Sequence, residues 1–92
     1  MIRSFATKET ELLFRSQPVG RLRYIENAAR RKLLMLHAAT RLEELKSQPG
    51  NRLERLGGDR AGQCSIRIND RWRICFTWRP DGAYDVEIVD YH

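Results

Sequence analysis

Hydrophobic positions along this chain follow two different periods, and the change falls at Pro49-Gly50. Ahead of it the spacing is helical. Leu22, Ile25, Ala29, Leu33 and Leu36 recur three and four residues apart, which puts them on one face of a helix starting near Arg21. Arg23, Glu26, Arg30 and Arg31 take the other face. An earlier helix is expected to run from Thr7, whose hydroxyl suits an N-cap, through about residue 15. Leu12 and Leu13 turn inward there, and Pro18 and Gly20 close it. Residues 1–6 read as a short strand. Thr40-Arg41-Leu42-Glu43 has the form of a capping box, so a short third helix is predicted before Pro49-Gly50.

After Pro49-Gly50 and a loop over residues 51–62, the pattern becomes strict alternation over residues 63–68, 72–78 and 84–90, the signature of half-buried strands. Matching the apolar faces sets the register. With Asn69-Asp70-Arg71 as a three-residue hairpin loop, Ile68 opposes Trp72, Ile66 opposes Ile74 and Cys64 opposes Phe76. Carried across residues 79–83, the same matching pairs Trp78 with Tyr84, Phe76 with Val86 and Ile74 with Ile88. One face of this antiparallel meander packs on the helices. The expected fold is α+β: a single domain over residues 1–92, with N-terminal helices on one face of a small antiparallel sheet.

Charge then singles out the other face. Seventeen Lys and Arg against twelve Asp and Glu give a net charge of +5, which favours a polyanionic partner. Residues 52–79 hold seven arginines against three acids, whereas residues 80–92 hold four acids and His92. The preference for Arg over Lys suits bidentate phosphate contacts and is equally the mark of GC-rich codon usage. No apolar run is long enough to span a bilayer, and the N-terminus does not lead into a signal-like stretch, so the expected location is the cytoplasm.

In the matched register Ser65 and Arg67, Arg73 and Cys75, and Glu87 and Tyr91 share the outer face. Arg67 and Arg73 become cross-strand neighbours, an arrangement that favours an anion between them. Cys64 and Cys75 point to opposite faces and have no metal-ligand spacing, so neither a disulfide nor a metal site is expected. The sequence has no P-loop, GxSxG, HExxH or carboxylate cluster fit for Mg²⁺, and no cofactor is expected. What remains is metal-free chemistry by a base, an acid and a charge-stabilising cation. Asp90-Tyr91-His92 offers a carboxylate, a phenol and an imidazole beside Arg73. Arg52, Arg55 and Arg60 in the loop suit a nucleic-acid backbone, and Glu54 suits a base or an ion pair with Arg52 or Arg55. His37 belongs to the helical scaffold and is read as a surface or packing residue.

The stretch NRLERLGGDRAGQCSIRINDRWRICF from Asn51, with the terminal VEIVDYH, resembles the HigB-type toxins of the RelE/ParE superfamily. The resemblance covers nearly the whole chain and implies a RelE-like microbial RNase fold. It further implies a type II toxin that cleaves mRNA on the translating ribosome without metal, inhibits translation and is neutralised by a helix-turn-helix antitoxin of HigA type. Operator DNA is then met only through the antitoxin. By position, Arg73 would stabilise the scissile phosphate, and Asp90, Tyr91 and His92 would form the catalytic cluster. Asn69 would position RNA or the hairpin loop. Some members carry His and Lys where this chain has Glu54 and Gly57, which leaves Glu54 and His92 as candidates for the base. A ParE-like gyrase poison and a non-catalytic RNA-binding module are the alternative readings.

Overall fold

Thr7 caps the first helix, α1 (Lys8–Phe14), its hydroxyl accepting from the Thr10 amide at 3.3 Å in the computed structural model, which describes residues 1–91. Leu13 is fully buried and Leu12 packs on the core, as the spacing requires. Thr10 is buried too, because its hydroxyl accepts from the Ile88 amide at 3.0 Å and ties α1 to the sheet.

The apolar stripe from Leu22 to Leu36 is buried on one face, but the element is not one helix. Gly20–Ile25 forms a 3-10 segment that feeds into α2 (Glu26–Ala38). The capping signal also works one residue later than the sequence suggested. Glu44, not Glu43, reaches back from α3 (Leu42–Lys46), accepting from the Thr40 and Arg41 amides, each at 2.9 Å, and from the Thr40 hydroxyl at 2.6 Å. That contact holds the Glu44 carboxyl below its ordinary pKa.

Four antiparallel strands follow in the order β1 (Glu54–Arg55), β2 (Cys64–Arg67), β3 (Trp72–Arg79) and β4 (Gly82–Asp90). The α+β architecture is the expected one. Between β2 and β3 the register is the one set by face matching, with Cys64 opposite Phe76, Ile66 opposite Ile74 and Arg67 opposite Arg73. The Ile68 amide closes that hairpin on Trp72 O at 2.9 Å. The strand β1 was not legible: two residues at the sheet edge, inside what reads as a loop, pair Glu54 with Ser65 and Arg55 with Cys64.

The β3–β4 register holds from Trp72–Asp90 to Cys75–Glu87 and then slips. Thr77, not Trp78, opposes Tyr84, and Trp78 opposes the buried Ala83. Asp85 absorbs the extra residue at φ 53°, a left-handed conformation that a short polar side chain tolerates, and its amide donates to Ser4 Oγ at 2.8 Å. The hairpin therefore closes at Arg79–Gly82 rather than across five residues. Gly82 adopts φ 143°, and a Cβ there would strike the Met1 carbonyl. Residues 1–6 run parallel to β4 as two isolated bridges, Ile2–Ala83 and Phe5–Val86, not as a strand.

Leu13, Leu22, Leu33, Leu36, Ile66, Ile74, Phe76 and Val86 lie in one core between the helices and the sheet. His37 serves that packing, with Nδ1 accepting from the Ile2 amide at 3.1 Å and its ring 5.2 Å from Phe14. No helix among the described residues is long and apolar enough to cross a membrane.

Candidate active site

The alternation that buries Ile74 and Phe76 against the helices turns Arg73 to the opposite face of β3, directly across from Arg67. Two guanidiniums at paired positions repel unless each is otherwise held. Here each is. Arg67 turns to Asp70 in the hairpin. Arg73 lies flat against β2, donating from Nε to Ser65 Oγ at 2.8 Å and from Nη2 to Arg52 O at 2.6 Å and Ser65 O at 3.3 Å. Only 8% of the residue is exposed, and the edge left toward the open side carries Nη1, 3.9 Å from Glu54 Oε1.

The Arg52 carbonyl reaches Arg73 because Arg52 is left-handed, at φ 43°. What holds that turn is Asn51, which is fully buried. Its Oδ1 accepts from Lys32 Nζ at 2.6 Å, and its Nδ2 donates to Leu45 O at 3.0 Å. Burial and the neighbouring Arg31 and Arg67 charges lower the Lys32 pKa. The chain thus runs from the helical layer through Asn51 to the guanidinium in the sheet. Glu54 reaches the same place by a different route, since the short β1 pairing opposes it to Ser65.

Arg52, Glu54, Arg67, Asn69, Asp70, Arg73 and Tyr91 line one open cleft of about 470 Å³. Tyr91 enters it just past β4, where its amide still donates to Arg71 O at 2.5 Å. Burial, with Cys75 beside the phenol, raises the Tyr91 pKa above the ordinary range. The buried Cys75 thiol is itself pushed up, chiefly by desolvation. On the sheet face behind the cleft, Ser65, Cys75 and Glu87 form a cross-strand row. Ser65 holds Arg73, and Glu87 accepts from Arg60 Nη2 at 3.1 Å.

The expected site residues divide by position. Arg73, Glu54, Tyr91, Arg52, Arg67 and Asn69 converge on the cleft. Asn69 also shapes its rim, with Oδ1 accepting from the Arg71 and Trp72 amides, both at 2.9 Å. Arg60 lies off the cleft wall, engaged by Gln63 and Glu87. Arg55 lines a separate groove with Leu42, Glu43, Lys46 and Leu53. Asp90 does not line the cleft: opposite Trp72, its carboxylate receives Arg71 in a two-point contact of 2.8 Å at each oxygen. His92 lies outside the described residues. Both cysteines are unbridged, and no group of three or more His, Cys, Asp or Glu side chains among the described residues is placed to hold a metal ion.

Ser65 was legible as an outer-face residue, though not as the anchor of Arg73. Asn51 had no signal at all, because an Asn after Pro-Gly reads as an ordinary turn residue.

Comparison with known proteins converges on one group. Residues 4–92 match the family described as RelE-like toxin of type II toxin-antitoxin system HigB. The chain is 50% identical over 68 residues to Toxin HigB-1 of Vibrio cholerae serotype O1, covering 74% of this chain and 70% of that protein. It is 34% identical to Endoribonuclease HigB of Proteus vulgaris over the full length of both. With the family match spanning all but the first three residues, the chain belongs to the HigB-like toxins, the RelE-like toxin component of type II toxin-antitoxin systems, in which a toxin is partnered by an antitoxin.

Proposed function

We propose that this protein is an endoribonuclease that cuts mRNA on the translating ribosome without a metal ion, and that a helix-turn-helix antitoxin of HigA type neutralises it. The observation that carries the reading is the fixed Arg73 guanidinium. Three hydrogen bonds aim its Nη1 edge into a cleft where Arg67 adds a second positive charge. Such a preorganised cation stabilises the charge that builds on phosphorus oxygens in the transition state. The name of the Proteus vulgaris relative points the same way.

The chemistry is attack by an RNA 2′-OH on the adjacent phosphate. A base, Glu54 or His92, takes the 2′ proton as the O2′–P bond forms. The P–O5′ bond breaks, and an acid returns a proton to O5′, leaving a cyclic phosphate and a 5′-OH. Tyr91 holds its proton at neutral pH and lines the cleft, so it fits the acid. Asp90 acts from outside the cleft by fixing Arg71 and the end of β4. Arg52, Arg67 and Asn69 contact the backbone.

The deciding assay incubates purified protein with actively translated message, with gyrase supercoiling in parallel. The expected result is cleavage that persists in a chelator, on preserved ribosomes, with ends that resist ligation until the cyclic phosphate is opened. Ends bearing 3′-OH and 5′-phosphate would point to metal-dependent hydrolysis, and inhibited supercoiling without cleavage to a gyrase poison.

A further inference from the structure

On the far side of the hairpin rim lies a second groove, of about 380 Å³, lined by Arg21, Tyr24, Ile25, Arg71, Trp72 and Asp90. Its chemistry is unusual for a solvated surface. Two guanidiniums lie over the Trp72 ring, Arg21 at 5.5 Å and Arg71 at 5.6 Å from its centroid. Tyr24, at the groove's outer edge, is 94% exposed, the largest exposure among the bulky apolar residues. The Arg23 guanidinium lies 5.6 Å from its ring centroid and leaves the ring open to solvent. Stacked cations and rings that leave a π-face exposed are what single-stranded nucleic acid uses.

Glu9 holds Arg21 at 2.9 Å and Asp90 holds Arg71, so these two guanidiniums are oriented rather than free to swing. Arg23 adds a third positive charge at the Tyr24 edge. The groove and the catalytic cleft share a rim: Asn69 and Asp70 line the cleft, while the next two residues, Arg71 and Trp72, line the groove. A strand leaving the cleft across this turn meets the groove that Tyr24 lines.

We infer that this groove is a second RNA subsite, in which Tyr24 stacks an unpaired base of the same strand whose phosphate lies at Arg73. The inference rests on the ribonuclease reading of the cleft. It assigns the groove to substrate RNA, in preference to the antitoxin, on three grounds: the planar guanidiniums beside aromatic rings, the open Tyr24 ring and the shared rim.

The test is fluorescence anisotropy with a labelled single-stranded RNA heptamer made cleavage-resistant by 2′-O-methylation. Wild-type protein is compared with Tyr24→Ala and Tyr24→Phe, and binding of the cognate antitoxin is measured on the same proteins. Tyr24 is so exposed that neither change threatens the fold. Loss of one base stack is expected to weaken heptamer binding about five- to a hundredfold in Tyr24→Ala, with Tyr24→Phe close to wild type. Replacing the stacked base by an abasic site should weaken wild-type binding and leave Tyr24→Ala unchanged. Equal heptamer affinity in wild type and Tyr24→Ala overturns the inference, as does a wild-type protein that cuts message on ribosomes yet has no affinity for the heptamer. Weakened antitoxin binding with heptamer binding intact also overturns it and gives the groove to the protein partner. In each of these overturning cases cleavage and its loss in Arg73→Ala still stand, whereas failure of the ribonuclease reading appears separately as a wild-type protein that cuts no RNA.

Discussion

Arg73 and Ser65 sit on neighbouring strands two residues out of register, and the Nε–Oγ bond between them, 2.8 Å long, sets the plane of the guanidinium. Ser65→Ala removes a buried acceptor from a charged donor, which costs about 1–3 kcal/mol. Chemical denaturation should show that loss, and cleavage should fall because the guanidinium gains freedom. Arg73→Lys keeps a charge but not the planar fork, so its cleavage rate should drop about a hundredfold or more. Wild-type cleavage by either a soluble Arg73→Lys or Arg73→Ala protein would remove Arg73 from the mechanism.

Asn51 couples the helical layer to the cleft. Asn51→Ala removes the acceptor of Lys32 Nζ and the shorter of the two bonds to Leu45 O, and a cost of about 1–3 kcal/mol is expected in the free energy of chemical denaturation. Its effect on cleavage should exceed what stability alone explains, since Arg52 O then loses its fixed position beside Arg73. Under strongly folding conditions, an Asn51→Ala protein as active as wild type would show that the turn is held by other contacts.

Salt dependence distinguishes the arginines by position. Arg67→Gln in the cleft should flatten the log–log slope of RNA affinity against salt by somewhat under one unit. Arg55→Gln should leave the slope unchanged, because Arg55 lines a different groove. An equal change in both variants would mean that RNA is held by diffuse charge.

Tyr91 supplies the pH test. Its folded pKa is raised, so whatever stability its neutral form contributes is complete below the unfolded phenol value, about 10, and is lost as pH rises through the higher folded value. The alkaline limb of the rate profile should therefore lie above the ordinary phenol range. Tyr91→Phe should erase that limb and slow cleavage about a hundredfold to ten-thousandfold. A limb near neutrality that survives Tyr91→Phe would belong to another group.

Deleting His92 tests the remaining base candidate. Cleavage should collapse about a hundredfold to ten-thousandfold if the imidazole is the base. Should cleavage persist and be lost instead in Glu54→Gln, the base is the carboxylate beside Arg73.

Periodicity by itself determined the helical first half, the sheet of the second half and the β2–β3 register, because a one-residue slip there would put Arg71 and Arg73 among the isoleucines. It also placed Ser65, Arg67, Arg73 and Tyr91 on one face, since alternation in a strand is a local property. The tertiary structure decided everything that depends on how distant segments meet. Local pattern could not show that Ser4 receives the Asp85 amide and so permits the bulge that sends Tyr84 outward and Ala83 inward. Alternation also set Asp90 opposite Trp72, away from Tyr91, but it could not show that Arg55 leaves the cleft while Glu54 and Arg52 enter it. Those assignments rest on a two-residue edge strand and on a left-handed Arg52 held through Asn51 by Lys32 and Leu45, contacts that form only when the helical layer closes on the sheet.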